Sequence, residues 1–146
     1  MKVALIGASG NGGSRLLAEL SGRGHEVTAI ARNPDTIAKL PGVTVKKGDV
    51  FDKPGLVQLL KGHKAEATKG GEFLELLRKD KDLDWTFLSP SALIAPGERT
   101  GKFRLGKDQL LTHDKGSNIS WEDYAIAAVD ELEKPTHIRQ RFTVGY

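Results

Sequence analysis

The chain has 146 residues, of which 38% are hydrophobic and 28% charged, as is ordinary for one globular domain. It contains no cysteine, which excludes disulfides and thiolate chemistry, and its four histidines do not have the spacing of metal ligands. The net charge of +3 is modest and basic residues are scattered among acidic ones, so we expect no nucleic-acid partner. No apolar run approaches the roughly 20 residues of a membrane span, and no signal-peptide pattern opens the chain. We expect a single cytoplasmic domain over residues 1–146 that binds a small-molecule substrate, with a homodimer as one option for its oligomeric state.

The first predicted element is a strand that runs into a glycine-rich turn. Val3 to Ile6 are apolar, glycines follow at positions 7, 10 and 13, and a helical pattern begins where the glycines end. Gly7 permits a sharp turn, Gly10 permits close approach of a ligand, and Gly13 permits tight packing of the helix on the strand. The helix start then suits a pyrophosphate, although G-x-x-G-x-x-G differs from the dehydrogenase fingerprint and also fits a turn without a ligand. The predicted cofactor-binding residues of this turn are Gly7, Ala8, Ser9, Gly10, Asn11, Gly12 and Gly13.

A second strand, Glu26 to Ala31, follows the first helix and makes a βαβ unit with parallel strands. At its end stands Arg32-Asn33, where an NAD-selective site usually has an acidic residue for the ribose 2′-hydroxyl. A guanidinium can pair with a 2′-phosphate, which favours NADP over NAD as the cofactor, while a solvated arginine at a strand end is the alternative. Asn33 belongs to the same predicted site and can cap the short helix that Pro34 begins.

The third predicted strand runs from Val43 to Lys46 and leads into Gly48-Asp49-Val50. Because the carboxyl ends of strands in a doubly wound sheet face the ligand, Asp49 and Val50 are placed to touch an adenine ring. Asp49 fits equally well as the cap of the next turn. A third helix is predicted from Asp52 to Gly62.

The regular alternation of strands and helices breaks after this helix. At Lys64 the chain enters another helical pattern, and no strand-like run occurs before Asp84 to Ser89. A sheet ordered 3-2-1-4 would then leave one side of the first strand unpaired. We therefore expect the fourth and fifth strands of the sheet to be missing from the chain between His63 and Lys64.

The remainder of the chain is predicted to be rich in loops. Ser89-Pro90-Ser91 follows a strand end and fits either a nicotinamide pocket or a plain loop. Short strands are expected at residues 102–105 and 109–112. Ser120 to Asp123 has the form of a capping box and predicts a helix that continues to Pro135. Alternating residues from Ile138 to Tyr146 predict a last, half-buried strand.

Several of these motifs together resemble the atypical short-chain dehydrogenase/reductase family. The resemblance rests on the glycine turn, Arg32-Asn33, Gly48-Asp49-Val50, Leu88-Ser89-Pro90 and the run Ile119 to Ala125. It is strongest to small NAD(P)H-binding members similar to flavin and biliverdin reductases and to NmrA-like regulators. The family implies an α/β, Rossmann-like doubly wound parallel sheet and an NAD(P) cofactor. It also implies that loops after a fourth and a fifth strand contact the nicotinamide and the substrate.

The catalytic residue is left unknown by the sequence. The Tyr-x-x-x-Lys pair of better-known short-chain dehydrogenases cannot be assigned, because Tyr124 is followed four residues later by Ala128 and Tyr146 is the last residue. We expect Tyr124 to pack or to lie at the surface. The leading hypothesis is an NADP(H)-dependent oxidoreductase that passes hydride to a small acceptor such as a flavin, a quinone or a carbonyl compound. The alternative is a non-catalytic NADP-binding redox sensor of the NmrA-like type, and the absent pair disfavours a sugar-nucleotide epimerase.

Overall fold

The computed structural model describes residues 1–49, 64–66 and 71–146, with the backbone alone for 64–66, 71–73 and 76. The chain forms two compact units, Met1–Glu66 and Ala67–Tyr146. The expectation of a single domain stays a prediction. Val50 and the predicted helix from Asp52 to Gly62 lie outside the described residues. Within the described residues, the helices are too short and too polar to cross a bilayer.

The first unit is a parallel sheet with the predicted βαβ unit at its start. Its four described strands have the order β3-β2-β1-β4 and pair in parallel throughout. The leucine face of the first helix is buried, as are Val3, Ala4 and Leu5 of β1 and most of β2. This arrangement confirms the predicted α/β fold. In chain order the elements are β1 (Lys2–Ile6), α1 (Asn11–Gly22), β2 (Glu26–Ala31), a 3-10 turn (Pro34–Thr36), β3 (Val43–Lys47) and β4 (Lys64–Glu66).

The strand β4 corrects the prediction that the chain enters a helix at Lys64 and lacks the fourth strand of the sheet. Lys64 lies opposite Val3 and Glu66 opposite Leu5, so β1 has a parallel neighbour on each side. The residues Lys-Ala-Glu have weak strand character, and the sequence therefore indicated a helix there. Pairing of backbone groups along β1 outweighs that local preference.

The second unit contains two small sheets and two described helices. One sheet has the order β5-β9-β7, in which β5 runs parallel and β7 antiparallel to β9, and the other is the parallel pair β6-β8. In chain order the elements are α2 (Gly71–Lys79), β5 (Thr86–Ser89), β6 (Leu93–Ala95), β7 (Arg104–Gly106), β8 (Asn118–Ser120), α3 (Trp121–Glu133) and β9 (Gln140–Gly145).

Two strand predictions for the second unit are wrong. Residues 109–112 are irregular, and the missed strands β6 and β8 pair with each other instead. The last strand is not half-buried, because Phe142, Thr143 and Val144 are all buried. The reason is that both faces of β9 are covered, since Phe142 stacks on His137 and Thr143, on the opposite face, donates to the carbonyl of Gln109 at 3.0 Å. The predicted helix after Ser120 is present as α3.

Candidate functional site

The glycine turn after β1 has the tight geometry that its sequence predicts. Gly7 has φ of +78°, a conformation that favours glycine, and its N–H donates to the carbonyl of Ile30 at 3.2 Å. The N–H of Gly10 donates to the carbonyl of Gly7 at 2.9 Å and closes the turn. A Cβ at Gly13 would overlap the carbonyl oxygen of Gly7 and lie 2.8 Å from its carbonyl carbon. The helix can therefore pack closely on the turn only because position 13 lacks a side chain.

The start of α1 is open to an anion. The helix begins at Asn11, and its N-cap residue Gly10 has no side chain that could occupy the first N–H groups. These groups have no partner within the helix, and the first turn contains no acidic residue that would repel an anion. Ser9, Gly10 and Asn11 are exposed. The turn can therefore bind the pyrophosphate of a dinucleotide. Its backbone N–H groups can donate, the helix start is electropositive, and Gly10 has no side chain in the way of the ligand.

Arg15 adds a positive charge beside this helix start, which the sequence analysis missed. Its guanidinium donates to the hydroxyl of Ser14 at 3.2 Å and to the carbonyl of Asn11 at 3.5 Å. The signal was available, because a residue four positions after Asn11 lies above it on the same helix face.

The ends of β1, β2 and β3 lie side by side at one edge of the first sheet. The N–H of Gly48 donates to the carbonyl of Ala31 at 3.1 Å, which extends the pairing of β2 and β3 past their ends. Since the strands are parallel, Arg32 and Asp49 lie at the same edge as the glycine turn. Both are exposed, and no hydrogen bond or ion pair is recorded for Arg32 within the described residues.

Asn33 is the N-cap of the 3-10 turn, as predicted. Its side-chain oxygen accepts from the N–H of Asp35 at 3.3 Å. The side-chain oxygen therefore has a local structural role, while the side-chain NH₂ group can still donate to a ligand. Val50, the last predicted cofactor-binding residue, lies outside the described residues.

In the second unit, Asp123 is a fully buried carboxylate that holds a loop in place. It accepts from the N–H groups of Thr100 and Gly101, each at 2.8 Å, and from the hydroxyls of Thr100 at 2.6 Å and Tyr146 at 2.8 Å. Burial alone would raise the pKa of Asp123, but these hydrogen bonds outweigh burial and hold the pKa below the ordinary value of 3.8. The Tyr146 hydroxyl, desolvated and next to this carboxylate, has its pKa raised above 10.0.

A second buried carboxylate, Glu131, ties the end of α3 to the following loop. It accepts from the N–H groups of Thr136 at 2.8 Å and His137 at 2.7 Å, from the Thr136 hydroxyl at 2.9 Å, and from His137 Nδ1 at 2.8 Å. Burial would raise the pKa of Glu131, and the hydrogen bonds from His137 and Thr136 together lower it below 4.5.

The other residues that the sequence singled out have structural contacts within the second unit. The hydroxyl of Tyr124, a buried residue, donates to the carbonyl of Leu88 at 3.1 Å, which agrees with a packing role. Ser91 is also buried and donates to the carbonyl of Val144 at 3.0 Å. Ser89 accepts from the guanidinium of Arg141 at 3.0 Å. These contacts hold the end of β5 at Ser89 and the following loop at Ser91 in place, and the pocket role that the sequence analysis left open stays a hypothesis.

A cleft of about 300 Å³ lies in the second unit and was not predicted. It is lined by β6, the loop that follows β6, β8 and Tyr146. The hydrogen bonds of Asp123 fix Thr100 and Tyr146, two of its lining residues. The cleft could not be predicted from the sequence, because the residues that line it, from Leu93 to Tyr146, lie up to 53 positions apart along the chain.

Comparison with known proteins assigns the chain to a family. The sequence model of an NAD(P)H-binding family matches residues 7–72, which include the glycine turn and Arg32. The protein YwnB of Bacillus subtilis is 34% identical over 209 aligned positions, which cover 99% of this chain and 98% of YwnB. The chain belongs to the NAD(P)H-binding proteins. This agrees with the resemblance to the atypical short-chain dehydrogenase/reductase family, and the predicted nicotinamide cofactor is thereby confirmed at the level of NAD(P).

The alignment with YwnB also bears on the length of this NAD(P)H-binding protein. It extends over 209 positions, whereas the chain has 146 residues, so part of YwnB has no counterpart here. Residues 61–63 lie outside the described residues. The placement of the missing segment between His63 and Lys64 therefore stays a prediction.

Solved structures resemble this NAD(P)H-binding protein over nearly their whole length. A protein of Bacteroides thetaiotaomicron, described as a candidate epimerase, is 34% identical with a TM-score of 0.90, over 99% of this chain and 96% of that one. A protein of Burkholderia pseudomallei, described as a candidate exported protein, is 33% identical with a TM-score of 0.89 over 100% of both chains. A candidate NADH-flavin reductase of Streptococcus pneumoniae is 28% identical with a TM-score of 0.75 over 99% of both chains.

Proposed function

We propose that this protein is an NADP(H)-dependent oxidoreductase that transfers hydride to a small acceptor such as a flavin, a quinone or a carbonyl compound. The observation that carries the proposal is the shared sheet edge at which an anion-binding glycine turn and the guanidinium of Arg32 occur together. A dinucleotide with a third phosphate group on its adenosine ribose would use both features.

In this proposal the backbone from Gly7 to Gly13 holds the pyrophosphate of the cofactor. Arg32 binds the ribose 2′-phosphate, with Asn33 beside it, and Asp49 and Val50 contact the adenine. Arg15 raises the positive potential at the helix start. The proposal requires no direct contact between Arg15 and the phosphates. These roles follow the common arrangement of ligands at the carboxyl edge of a doubly wound sheet.

The preference for NADP rests on charge. Arg32 is exposed at the strand end, and no carboxylate occupies the position that would accept a hydrogen bond from a free 2′-hydroxyl. A guanidinium pairs bidentately with a phosphate dianion, whereas it gains little from a neutral hydroxyl. The relative from Streptococcus is described as an NADH-flavin reductase, so a direct comparison of NADPH with NADH is part of the test.

The reaction requires little acid–base chemistry from the protein. When bound, the reduced nicotinamide supplies the hydride, and the chain's own residues bind and orient it. A flavin or a quinone can take its proton from water, so a reductase of this kind needs no dedicated tyrosine donor. Within the described residues the hydroxyl of Tyr124 already donates to a backbone carbonyl. The catalytic residue is left unassigned.

The test is oxidation of NADPH, followed by its absorbance, in the presence of flavins, quinones and carbonyl compounds in turn. We expect at least one acceptor to raise the rate well above background, and NADPH to be used more efficiently than NADH. No acceleration with any acceptor, despite calorimetric binding of NADP⁺, would overturn the oxidoreductase. No binding of either cofactor would overturn the cofactor site as well.

The second candidate function is a non-catalytic redox sensor of the NmrA-like type. It is favoured by the engagement of Tyr124 in a packing contact and by the absence of an assigned proton donor. A sensor would bind NADP⁺ and NADPH with different affinities and turn over no acceptor. Rapid turnover of any acceptor in the panel would exclude this alternative.

An epimerase is disfavoured for this chain although the Bacteroides relative is described as a candidate epimerase. No Tyr-x-x-x-Lys pair stands in the sequence. An assay with a sugar nucleotide and NAD⁺ would detect such an activity.

The cytoplasmic location and the homodimer stay predictions. They can be checked by cell fractionation and by light scattering, and the location has particular interest because the Burkholderia relative is described as exported.

A further inference from the structure

The cleft in the second unit has mainly apolar walls. Its lining includes Leu93, Ala95, Pro96, Ile119 and Tyr146. Leu93 is 62% exposed, so a large apolar side chain faces solvent at a concave surface. The volume of about 300 Å³ lies at the small end of the range for ligand pockets. Such walls favour a flat apolar ring system over a sugar or an ion.

The side-chain amide of Asn118, which lines the cleft, is oriented by its hydrogen bond with His113. The N–H of Lys115 donates to Nδ1 of His113 at 3.2 Å, so Nδ1 is an acceptor and Nε2 is the nitrogen that can donate. Nε2 then donates to the side-chain oxygen of Asn118 at 2.5 Å. With its oxygen occupied in this way, Asn118 has its two Nδ2–H donors to offer. A donor suits a ligand that carries a carbonyl oxygen.

The charge of the residues that line the cleft restricts the class of ligand further. Glu98 also lines the cleft, and its carboxylate would repel an anionic ligand. The hydroxyl of Ser120, another lining residue, donates to the carbonyl of Glu98 at 2.9 Å and is therefore already paired within the protein. The hydroxyls of Thr100 and Tyr146 likewise donate to Asp123, so among the lining side chains the amide of Asn118 is the donor left for a ligand.

We propose that this cleft binds a neutral, flat, conjugated carbonyl compound of the quinone class. Its rings lie against the apolar walls and its carbonyl oxygen accepts from Nδ2 of Asn118. The identification of this ligand with the hydride acceptor rests on the proposed function, whereas binding to the cleft does not.

The test uses menadione, a neutral naphthoquinone, with naphthalene as the analogue that lacks carbonyl groups and a naphthoquinone sulfonate as the anionic analogue. Menadione reacts with thiols, but the chain has no cysteine, so a titration measures reversible binding. We expect menadione to bind most tightly of the three. Equal binding of menadione and the sulfonate, or no binding of menadione, would overturn the proposal.

Two variants locate the site. Leu93→Asp should weaken menadione binding about tenfold or more, because it replaces an apolar wall by a charge. The matched control is Leu105→Asp, since Leu105 is 53% exposed and does not line the cleft. Asn118→Leu should weaken menadione about three- to tenfold, the value of one hydrogen bond, while naphthalene binding holds or improves. Equal effects of the Leu93 and Leu105 variants would show that the ligand binds elsewhere. Equal losses of menadione and naphthalene in Asn118→Leu would overturn the hydrogen bond from Asn118 to the carbonyl oxygen.

The outcome is separable from that of the proposed function. Menadione binding is measured without cofactor, and NADP⁺ binding is measured on the same variants. If NADP⁺ binds and flavins are reduced but menadione does not bind, the cleft proposal fails and the oxidoreductase stands. If menadione binds in the cleft but no cofactor binds, the oxidoreductase fails and the ligand site stands.

Discussion

Removal of the Asp123 carboxylate should be among the most destabilising single changes in the second unit. The side chain has no exposed surface and accepts from four donors at 2.6 to 2.8 Å. A hydrogen bond to a charged group contributes about 1.5–3 kcal/mol, but the four share one carboxylate and the Thr100 loop can be rehydrated when it detaches. We therefore expect Asp123→Ala to lower the free energy of unfolding by about 3–5 kcal/mol, because it leaves buried donors without an acceptor at about 1–3 kcal/mol each and rehydration offsets part of that loss.

Asp123→Asn should be much milder, and the reason lies in how the donors are divided. Both backbone N–H groups bond to Oδ1, which the amide oxygen can replace, and both hydroxyls bond to Oδ2. A hydroxyl can rotate and accept from the new NH₂ group, whereas a backbone N–H cannot. The expected loss is about 1–2 kcal/mol, which corresponds to replacing charged by neutral hydrogen bonds.

Urea unfolding followed by tryptophan fluorescence suits this measurement. The only tryptophans of the chain, Trp85 and Trp121, both belong to the second unit, so the signal reports the part that contains Asp123. Asp108→Ala is the control, since the side chain of Asp108 is 71% exposed and lies 3.9 Å from Arg78. Removal of such a surface ion pair should change stability by less than about 1 kcal/mol.

The pH dependence provides an independent check of the same reasoning. Because the folded-state pKa of Asp123 lies below the unfolded value of 3.8, its contribution is fully present above pH 3.8 and is lost as the pH falls through the folded-state pKa. The wild-type and Asp123→Asn proteins should therefore differ most near neutral pH and converge in acid. A loss of less than about 1 kcal/mol in the free energy of unfolding for Asp123→Ala, or equal losses for the two Asp123 variants, would contradict the role assigned to this carboxylate.

Three further predictions concern the cofactor edge and the end of α3. Arg32→Glu should weaken NADP⁺ at least tenfold more than NAD⁺ in calorimetry, because it removes a charge-assisted pair and adds repulsion, and equal losses would mean that Arg32 does not bind the 2′-phosphate. Gly13→Ala should lower stability by about 1–3 kcal/mol and weaken both cofactors, whereas Gly22→Ala, where a Cβ meets nothing within 4 Å, should be neutral or stabilising in thermal unfolding. Glu131→Gln should cost about 1–2 kcal/mol at pH 7, and less as the pH falls below 4.5 through the lowered folded-state pKa, so a loss that is constant with pH would contradict the assigned network.

The glycine turn and the first βαβ unit could be predicted because their determinants are local. The conformation of Gly7 and the packing of Gly13 depend on residues within one turn of chain, and the leucines of α1 repeat with the helical period. The N-cap role of Ser120 was predicted for the same reason, since it bonds to the N–H of Asp123 three residues away.

The remaining features depend on partners that are distant in sequence. The strands β4, β6 and β8 have three residues each, too few to show a period, and each is held by pairing with a segment elsewhere in the chain. In a capping box the side chain at the position of Asp123 bonds back to its own helix start. The carboxylate of Asp123 instead accepts from Thr100 and Tyr146, each 23 residues away, and no pattern in the sequence predicts such a contact.

The position of β1 at the centre of its sheet has a consequence for synthesis of the protein. The ribosome makes β1 first, but one of its neighbours ends at Glu66, so β1 cannot be paired on both sides until that residue has left the exit tunnel. Until then the nascent chain presents an edge of Val3, Ala4 and Leu5 that another chain could pair with. Translation that is slow before Lys64 would therefore prolong the period in which aggregation competes with folding.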